Sequence, residues 1–439
     1  MASPALPNIL DRAVATLASG PIAVAFSGGM DSSALLHALA ASAQVRSRGL
    51  RAIHVDHGLH ADSAQWADHC TRTCLALSVA IDIRKIEIDR ARGTGIEDAA
   101  RAARMAAFAQ ALQPGEFLAL AQHRDDQAET ILLKLLRGAG PQGLGGMRAL
   151  RPLGGGWLWR PLLDLPRRTL RDYAQSHDVR WIDDPSNDEM HIERNFLRRE
   201  ILPRMRERWA EVEKPLAHSA RWLQATADFV DAEAQKALAR WQGIDPSTLA
   251  WAGWLALPDA LRDPVLRLWL RGIGLDEPTH LHVAELERQL RQSRADRSPC
   301  IAFATTELRR YRDLLYAKRP APSAPSQWHV RWYGELLHLP TGGCLSLQPA
   351  RLLDTPLHVS YRRGGERIKP TGGKHTRDLR LLLQEAGVPP WRRDSIPLIH
   401  REGELLAVGD LVLSDAGRDL LDAMGSRIVW SPSADDKAN

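Results

Sequence analysis

Short apolar runs alternate with longer helical patterns along the first 140 or so residues of the chain. Strands this apolar, separated by helices, are typical of a parallel sheet covered by helices on both faces. The third run alternates apolar and polar residues, which predicts a strand nearer a sheet edge. We therefore predict an α/β fold here, with strands at 21–26, 51–55, 81–88 and 117–122 and helices at about 33–41, 63–77, 97–112 and 126–137.

The pattern changes several times after this region. Turn-forming residues near 181 precede an arginine-rich helix predicted over 194–208, and tryptophans recur in a helical pattern over 214–316. The segment 318–327 has the Pro, Ala and Ser content of a semi-rigid linker. We predict a catalytic domain at 1–213, a helical domain at 214–317, the linker at 318–327 and a small α+β domain at 328–439.

Composition narrows the class of protein. The chain has 439 residues, of which 44% are hydrophobic and 25% charged, so it is globular and long enough for two or three domains. No stretch approaches the roughly 20 apolar residues of a membrane helix, and the N-terminus lacks the pattern of a secretory signal. We expect a cytoplasmic protein that does not bind membranes.

Charge and cysteine content add two expectations. The net charge is +5, and arginines cluster in short runs such as Arg198-Arg199 and Arg362-Arg363. One such run usually marks a solvated helix face, but several on different segments indicate a polyanionic partner. Four scattered cysteines give no metal-site spacing, so we expect buried or unreactive thiols.

Three unusual polar clusters each begin where a predicted strand ends. They are 27–32 (SGGMDS), 56–58 (DHG) and 123–126 (HRDD). The carboxyl ends of parallel strands lie along one edge of a sheet, where ligands of such folds bind. The three clusters are therefore expected to form one site.

The first cluster, in the stretch FSGGMDSS, has the residues of an anion-binding loop. Its glycines allow unusual backbone angles, and serine hydroxyls and helix N–H groups can grip a phosphate. A triphosphatase loop of the common type needs a lysine, and none occurs between Phe26 and Lys85; serine hydroxyls and backbone N–H groups can instead grip a phosphate that leaves as part of pyrophosphate. Asp31, being anionic, is expected to hold Mg²⁺. A Gly-Gly turn followed by an ordinary helix cap is the alternative.

These residues also resemble a known family. SGGMDS is similar to the signature of the PP-loop ATP pyrophosphatases, which cleave ATP between its α- and β-phosphates. Almost the whole chain resembles the tRNA(Ile)-lysidine synthetases within that superfamily. The matching runs are HVDHGLHADS, GIEDAARAAR, AQHRDDQAETILLKLLRG, GLGGM, RPLL, DDPSNDEMHIERNFLRREILP, RRGGERIKP and VPPWRRDSIPLI.

The resemblance implies an activity. Such enzymes use ATP and Mg²⁺ to join free L-lysine to C2 of the wobble cytidine of the isoleucine tRNA with a CAU anticodon, through an adenylated cytidine. Asp31 would hold the metal, and Arg101 and Arg104, three apart on one helix, are candidates for stabilising phosphate charge. ATP would bind Ser27, Gly28, Gly29, Met30, Asp31 and Ser32 through its pyrophosphate, and Val55, Asp56, His57 and Gly58 near its adenine.

The third cluster is assigned to lysine by the same resemblance. Asp126 and Glu129 lie three apart at a helix start, so both carboxylates can recognise lysine amines, although acidic residues there are also ordinary helix-capping residues. His123 can accept or relay a proton, or serve only as hydrogen-bonded structure. The family usually has two histidines here, where this chain has Gln122-His123.

Residues for the tRNA are also expected from the resemblance. Phosphate contacts would position the tRNA, while the target base is unstacked into the pocket. The sequence leaves the oligomeric state open, with a homodimer as one option. The candidates are Asn195, Arg198 and Arg199 near the active site and Arg362, Arg363, Lys369, Arg392 and Arg393 in the last domain.

Three other functions fit parts of the pattern. A PP-loop enzyme that adds sulfur to tRNA generally uses a C-x-x-C pair, which this chain lacks. An amide synthetase would take ammonia from an amidotransferase domain, and we find no N-terminal nucleophilic cysteine for one. A non-catalytic tRNA-binding protein would be expected to have lost Asp31, Asp126 or Glu129, and all three are present.

Overall fold

The chain forms two compact units, Met1–Asp228 and Phe229–Asn439. The structure is a computed structural model that describes residues 6–56, 58, 62–86, 96–183, 189–293, 299–320, 324–325 and 327–431. Within those ranges no helix is both long and apolar enough to cross a bilayer.

The first unit is built around a six-stranded sheet in the order β3-β2-β1-β4-β6-β5. All neighbouring strands are parallel except β5, which pairs antiparallel with β6 at one edge. The strands are β1 (Ile22–Ala25), β2 (Leu50–Asp56), β3 (Ala80–Lys85), β4 (Phe117–Ala119), β5 (Leu150–Leu153) and β6 (Gly156–Trp159).

Helices connect and flank these strands. They are α1 (Leu6–Ala15), α2 (Met30–Ala41), α3 (Ala43–Arg48), α4 (Ser63–Ala76), α5 (Ile96–Ala111), α6 (Arg124–Leu136), α7 (Pro141–Leu144), α8 (Arg167–Ser176), α9 (Glu193–Phe196), α10 (Leu202–Arg208) and α11 (Glu213–Trp241). One π-helical turn, Leu197–Ile201, joins α9 to α10.

Alternation along β1 explains why helices cover both faces of the sheet. Ile22 and Val24 belong to a core shared with α1, α2, α4 and α8, whereas Ala23 belongs to a second core with α5. Successive side chains of a strand point to opposite faces, so a strand that is apolar at every position must be buried on both. The predicted α/β fold is confirmed, and β3 lies at an edge as expected.

The strand order places the ends of three strands where the sequence clusters begin. β1 lies between β2 and β4. After β1 the next strand is added toward one edge of the sheet, and after β4 the next strands are added toward the other edge. Such a reversal of strand order opens a crevice at the carboxyl ends of the two strands. The loops after β1, β2 and β4 therefore border one crevice.

The second unit begins with helices and a small sheet. The helices after α11 are α12 (Trp251–Leu255), α13 (Asp259–Gly272) and α14 (His280–Gln292), and their core includes Trp254 and Trp269, both fully buried. This confirms a helical region with structural tryptophans. The region also contains an antiparallel sheet that the helical pattern did not predict, formed by β7 (Thr248–Ala250), β8 (Cys300–Phe303), β9 (Thr306–Tyr311) and β10 (Leu314–Lys318).

The C-terminal part has mostly antiparallel strands with short helices, as predicted for a small α+β domain. Its main sheet has the order β11-β14-β17-β18-β19, beside a three-stranded sheet β12-β13-β20 and the pair β15-β16. The strands are β11 (His329–Trp332), β12 (Leu337–His338), β13 (Cys344–Gln348), β14 (Leu357–Ser360), β15 (Arg367–Ile368), β16 (Arg377–Asp378), β17 (Leu398–Arg401), β18 (Glu404–Val408), β19 (Val412–Leu413) and β20 (Arg427–Ser431). The helices are α15 (Leu379–Glu385), α16 (Pro390–Arg393) and α17 (Asp415–Met424).

Candidate functional site

The loop between β1 and α2 is held in a conformation that requires glycine. Gly28 has φ +83°, and a β-carbon there would lie 3.1 Å from Sγ of Cys70. The carbonyl of Gly28 accepts a hydrogen bond of 2.9 Å from the backbone N–H of Ile182. Burial raises the pKa of the Cys70 thiol to about 12, so this cysteine is an unreactive support beneath the loop.

The two serines that flank the loop bond to each other. Their hydroxyl oxygens, Oγ of Ser27 and Oγ of Ser32, lie 3.1 Å apart, and Oγ of Ser32 also donates to the carbonyl of Gly29 at 3.0 Å. The N-cap residue of α2 is Gly29, which has no side chain with which to cap the helix. The first N–H groups of this helix are not used by such a cap and can bind an anion.

Asp31, in the first turn of α2, is bound by a cation that the sequence analysis did not single out. Arg167 donates from Nε to Oδ1 and from Nη2 to Oδ2, both at 3.2 Å. Burial alone would raise the pKa of Asp31, but hydrogen bonding and charge from His123 and Arg167 lower it to about 2. The carboxylate is therefore ionised at neutral pH.

His123 is a buried helix cap surrounded by carboxylates. Its Nδ1 accepts a hydrogen bond from the backbone N–H of Asp126, whose side chain accepts from the His123 N–H in return. Its Nε2 lies 3.3 Å from Oδ2 of Asp126 and 3.8 Å from Oδ2 of Asp31. Burial lowers the pKa of His123, and these carboxylates raise it more; protonation of Nδ1, however, would remove the capping bond.

Asp126 and Glu129 of α6 lie side by side, as predicted, and both are paired with arginines. Nε of Arg194 lies 2.6 Å from one oxygen of Glu129, and Nε of Arg198 lies 2.7 Å from the other. Both guanidinium groups also contact Oδ1 of Asp126, at 3.2 and 3.1 Å. Burial would lower the pKa of Arg198, but its bonds to Glu129 and the charge of Asp126 raise it. Each of the two carboxylates therefore contacts both guanidinium groups.

Asp125 extends this ionic network on the other side of His123. Its Oδ1 accepts from Arg206 at 3.1 Å, and its Oδ2 accepts from the backbone N–H of Arg167 at 2.9 Å. Residues from α2, α6, α8, α9 and α10 thus meet around one buried imidazole. The network holds the helices that border the site in a fixed arrangement.

A cavity of about 390 Å³ opens above the sheet among these residues. Its wall is polar near the loop and Asp31, and apolar near Val55, Trp66 and Phe108. The lining residues are Ala25, Phe26, Ser27, Gly29, Met30, Asp31, Ser32, His54, Val55, Asp56, Ser63, Trp66, Arg104, Phe108, Leu120, Ala121, Gln122, Asp126, Arg167, Ile182, Asp183 and Arg198. One polar end and one apolar end suit a ligand that joins phosphates to an aromatic base.

The structure gives Gln122 a structural role. Its side-chain oxygen accepts a hydrogen bond from Nε of Arg160, a residue only 6% exposed. Burial and the nearby charges of Arg151 and Arg101 lower the pKa of Arg160 to about 10. A neutral amide oxygen is a suitable acceptor for a buried guanidinium, whereas a protonated histidine there would repel it.

The structure brings together most, but not all, of the residues predicted for the catalytic site. Arg104 lines the cavity, while Arg101 is exposed and does not line it. Gly58 is exposed, and its neighbour His57 lies outside the described residues. The buried Asn195 donates to the carbonyl of Glu189 at 3.0 Å.

The candidates in the second unit differ in exposure. Arg362 is only 14% exposed and pairs with Glu366, whereas its neighbour Arg363 is exposed. Arg393 is 9% exposed and donates to the carbonyl of Val388 at 2.9 Å. The side chain of Lys369 is half-exposed, and its Nζ lies 3.6 Å from Oδ2 of Asp415. Arg392 is partly exposed.

Two groups of site residues were not predicted. Arg194 lies within the run DDPSNDEMHIERNFLRREILP and Arg167 follows shortly after RPLL, but neither residue was singled out. Trp66 and Phe108 form the apolar wall, and a helical pattern alone does not distinguish them from core residues. Spatial proximity across α4, α5 and α8 was required to find them.

Comparisons with known proteins agree with this geometry. A PP-loop domain model matches residues 6–205, a TilS substrate binding domain model matches 249–316, and a TilS substrate C-terminal domain model matches 357–430.

Curated relatives match nearly the full length of the chain. The tRNA(Ile)-lysidine synthase of Xanthomonas axonopodis pv. citri is 45% identical over 95% of both chains. The enzyme of the same name from Xylella fastidiosa is 42% identical over 93% of this chain and 95% of its own, and that from Pseudomonas aeruginosa is 40% identical over 95% of both. Full-length identity at this level, together with the PP-loop site, shows that the chain belongs to the tRNA(Ile)-lysidine synthase family.

Proposed function

We propose that the protein ligates free L-lysine to C2 of the wobble cytidine of the isoleucine tRNA with a CAU anticodon, at the expense of ATP. The cytidine O2 attacks the α-phosphorus, pyrophosphate leaves, and the lysine ε-amine then displaces AMP from C2. The observation that carries the proposal is one cavity in which an uncapped PP-loop helix, Asp31 and Asp126 meet. The family relationship supports the choice of substrates.

ATP fits the two ends of this cavity. Its pyrophosphate would lie on the loop 27–32, where backbone N–H groups and the helix N-terminus favour negative charge. Its adenine would lie at the end of β2, against Val55, Trp66 and Phe108. Arg104 lines the same cavity and would stabilise charge that develops on the α-phosphate. Arg101 does not line the catalytic cavity, so Arg104 is the better candidate for stabilising this phosphate charge.

Mg²⁺ is compatible with the site through Asp31. No group of three or more His, Cys, Asp or Glu side chains in the described ranges is arranged to hold a metal by itself. A single ionised carboxylate nevertheless suits Mg²⁺ that is bound mainly by phosphate oxygens and water, and Asp31 has a pKa of about 2. When bound, the ion would neutralise phosphate charge as pyrophosphate leaves.

Lysine would be recognised by Asp126 and Glu129. Their present partners, Arg194 and Arg198, show that the carboxylates already bind cations with good geometry. A lysine amine would replace or share one of these guanidinium contacts. Arg198 also lines the cavity, so a displaced guanidinium would be free to contact a tRNA phosphate, as proposed for this helix together with Asn195 and Arg199.

The lysine ε-amine must lose a proton before it attacks C2. His123 is close to Asp31 and Asp126, and its Nε2 is directed toward both carboxylates. We propose that Asp126, which lines the catalytic cavity, takes up this proton, and that His123 positions the carboxylates of Asp31 and Asp126 through its Nε2. The remaining tRNA contacts would come from the second unit, chiefly its exposed cations, and such a reaction would take place in the cytoplasm.

Incorporation of radiolabelled lysine tests the function. The protein is incubated with ATP, Mg²⁺ and an isoleucine tRNA transcript that carries CAU, and with the same transcript carrying UAU as the control. Label in the CAU transcript, with pyrophosphate released in equal amount, supports the proposal. Pyrophosphate without label would show that lysine is not the nucleophile.

A further inference from the structure

A second cavity, of about 360 Å³, lies beside the catalytic cavity, and Arg167 and Arg198 line both. We name it the arginine cavity. Its lining residues are Arg124, Asp125, Glu129, Pro166, Arg167, Arg168, Arg171, Arg198, Arg206, Ala210, Glu211 and Glu213. The proposed function assigns no ligand to this space.

Four of its six arginines have carboxylate partners. The pairs are Arg167 with Asp31, Arg168 with Glu211, Arg198 with Glu129, and Arg206 with Asp125. The other two, Arg124 and Arg171, make no side-chain hydrogen bond or ion pair with any described residue, although the charge of Arg124 helps to lower the pKa of Glu211.

Arg124 carries the stronger signal. Its Nε is buried and makes no hydrogen bond with any described residue. A buried donor atom without an acceptor costs about 1–3 kcal/mol, so it needs an explanation, and a bound ligand would supply one. Because a guanidinium can only donate, the ligand must present acceptor oxygens, and an oxyanion fits best.

The charges of the other residues that line the arginine cavity indicate which kind of oxyanion it binds. Four carboxylates line the space beside the six arginines, so the cavity offers both signs of charge, whereas a phosphate or pyrophosphate would use only the arginines. An amino acid carries an ammonium and a carboxylate on one carbon and therefore needs both signs of charge within a few ångströms. Glu129, proposed above to bind a lysine amine, faces the arginine cavity as well.

We propose that Arg124 and Arg171 bind the α-carboxylate of the amino-acid substrate and so select lysine over diamines. This inference rests on the proposed function, which names the amino acid. It assigns the arginine cavity to the backbone end of lysine, while the ε-amine extends past Arg198 toward the catalytic cavity. The bidentate geometry of guanidinium and carboxylate gives both affinity and orientation.

Cadaverine, which is lysine without its carboxylate, tests the proposal. Incorporation of lysine and of cadaverine into the CAU transcript is measured for the wild type and for Arg124→Gln, Arg171→Gln and Arg124→Lys. In the glutamine variants, kcat/KM for lysine should fall by about 10- to 100-fold, the effect of losing a charged hydrogen bond. The value for cadaverine should change less than about twofold, because no carboxylate contact is lost. Arg124→Lys should recover part of the loss.

The controls separate this inference from other accounts. Arg72→Gln, which removes an arginine 72% exposed on α4, should leave both values unchanged. If lysine and cadaverine values fall equally in both glutamine variants, the carboxylate assignment is wrong. A different outcome is that the variants change tRNA affinity or inhibition by pyrophosphate while the ratio of kcat/KM for lysine to that for cadaverine stays constant. In that case the oxyanion is a phosphate, and the carboxylate assignment is again wrong.

Arg171 is exposed, so its variant should fold even if the Arg124 variant does not. A wild type that incorporates neither compound would refute the proposed function itself.

Discussion

Arg167 donates hydrogen bonds to both carboxylate oxygens of Asp31, from Nε to Oδ1 and from Nη2 to Oδ2, each at 3.2 Å. The pair joins the first turn of α2 to the first turn of α8 at the wall of the catalytic cavity. It fixes the direction in which Asp31 presents its charge. A ligand that recruits Asp31 must therefore share this carboxylate with Arg167.

Replacing Asp31 by asparagine tests its role in the chemical step. Asparagine keeps the shape of the side chain but removes the charge that Mg²⁺ requires. We expect Asp31→Asn to lower tRNA-dependent ATP–pyrophosphate exchange by about 100-fold or more, in the range found when a group that stabilises transition-state charge is removed. tRNA affinity, measured by filter binding, should change little. Normal exchange would remove Asp31 from the active site.

The lowered pKa of Asp31 also predicts a pH dependence of stability. Its pKa falls from 3.8 to about 2 in the folded protein, so the ionised carboxylate stabilises the fold above pH 3.8, and this contribution is lost as the pH falls toward 2. The shift corresponds to about 2 kcal/mol. Urea unfolding between pH 5 and pH 2 should show wild type losing about this much more stability than Asp31→Asn. Parallel pH profiles would mean that the carboxylate is not stabilised by Arg167 and His123.

Glu129 should affect lysine rather than ATP. Glu129→Gln removes an ionic partner, so the KM for lysine is expected to rise by about 10-fold or more while the KM for ATP stays within about twofold. The change also leaves Arg194 and Arg198 less compensated in a buried setting, which should lower the free energy of unfolding by up to about 3–5 kcal/mol.

A second substitution separates these two effects of Glu129. Adding Arg194→Gln to Glu129→Gln removes one uncompensated charge and should recover part of the stability, as judged by thermal unfolding. The KM for lysine should remain high in the double variant. Recovery of lysine affinity together with stability would show that Glu129 acts only by holding the fold.

The neighbours Arg362 and Arg363 should behave differently. Arg363 is exposed, so Arg363→Ala is expected to weaken tRNA binding and to reduce the slope of log K against log salt by about 0.7–0.9, the value for one phosphate contact. Arg362 is held by Glu366, so Arg362→Ala should mainly lower thermal stability. An unchanged salt slope for Arg363→Ala would place the tRNA elsewhere.

How far the sequence predicts this site depends on whether a signal is local. The loop 27–32 and the pair Asp126 and Glu129 are set by short-range geometry, a strand end followed by a helix start, and these were found from the chain alone. Arg167 contacts Asp31, which lies 136 residues away in sequence, so only the packed helices reveal its role.

The small sheet of the second unit was missed for a related reason. Its strands are only three to six residues long, so each gives too little two-residue periodicity to be recognised. Their pairing is also completed by β7, more than 50 residues earlier. A periodicity argument over a short window does not detect such a distant partner.

The claim that ATP activates the cytidine itself can be tested by following one oxygen atom. A CAU transcript is prepared with ¹⁸O at O2 of the wobble cytidine and is reacted with ATP, Mg²⁺ and lysine, and the products are analysed by mass spectrometry. If the cytidine O2 attacks the α-phosphorus and lysine then displaces AMP, the ¹⁸O must appear in AMP, and neither pyrophosphate nor the modified base retains it. Retention of ¹⁸O in the base, with unlabelled AMP, would contradict an adenylated cytidine and would indicate that ATP activates the lysine carboxylate instead.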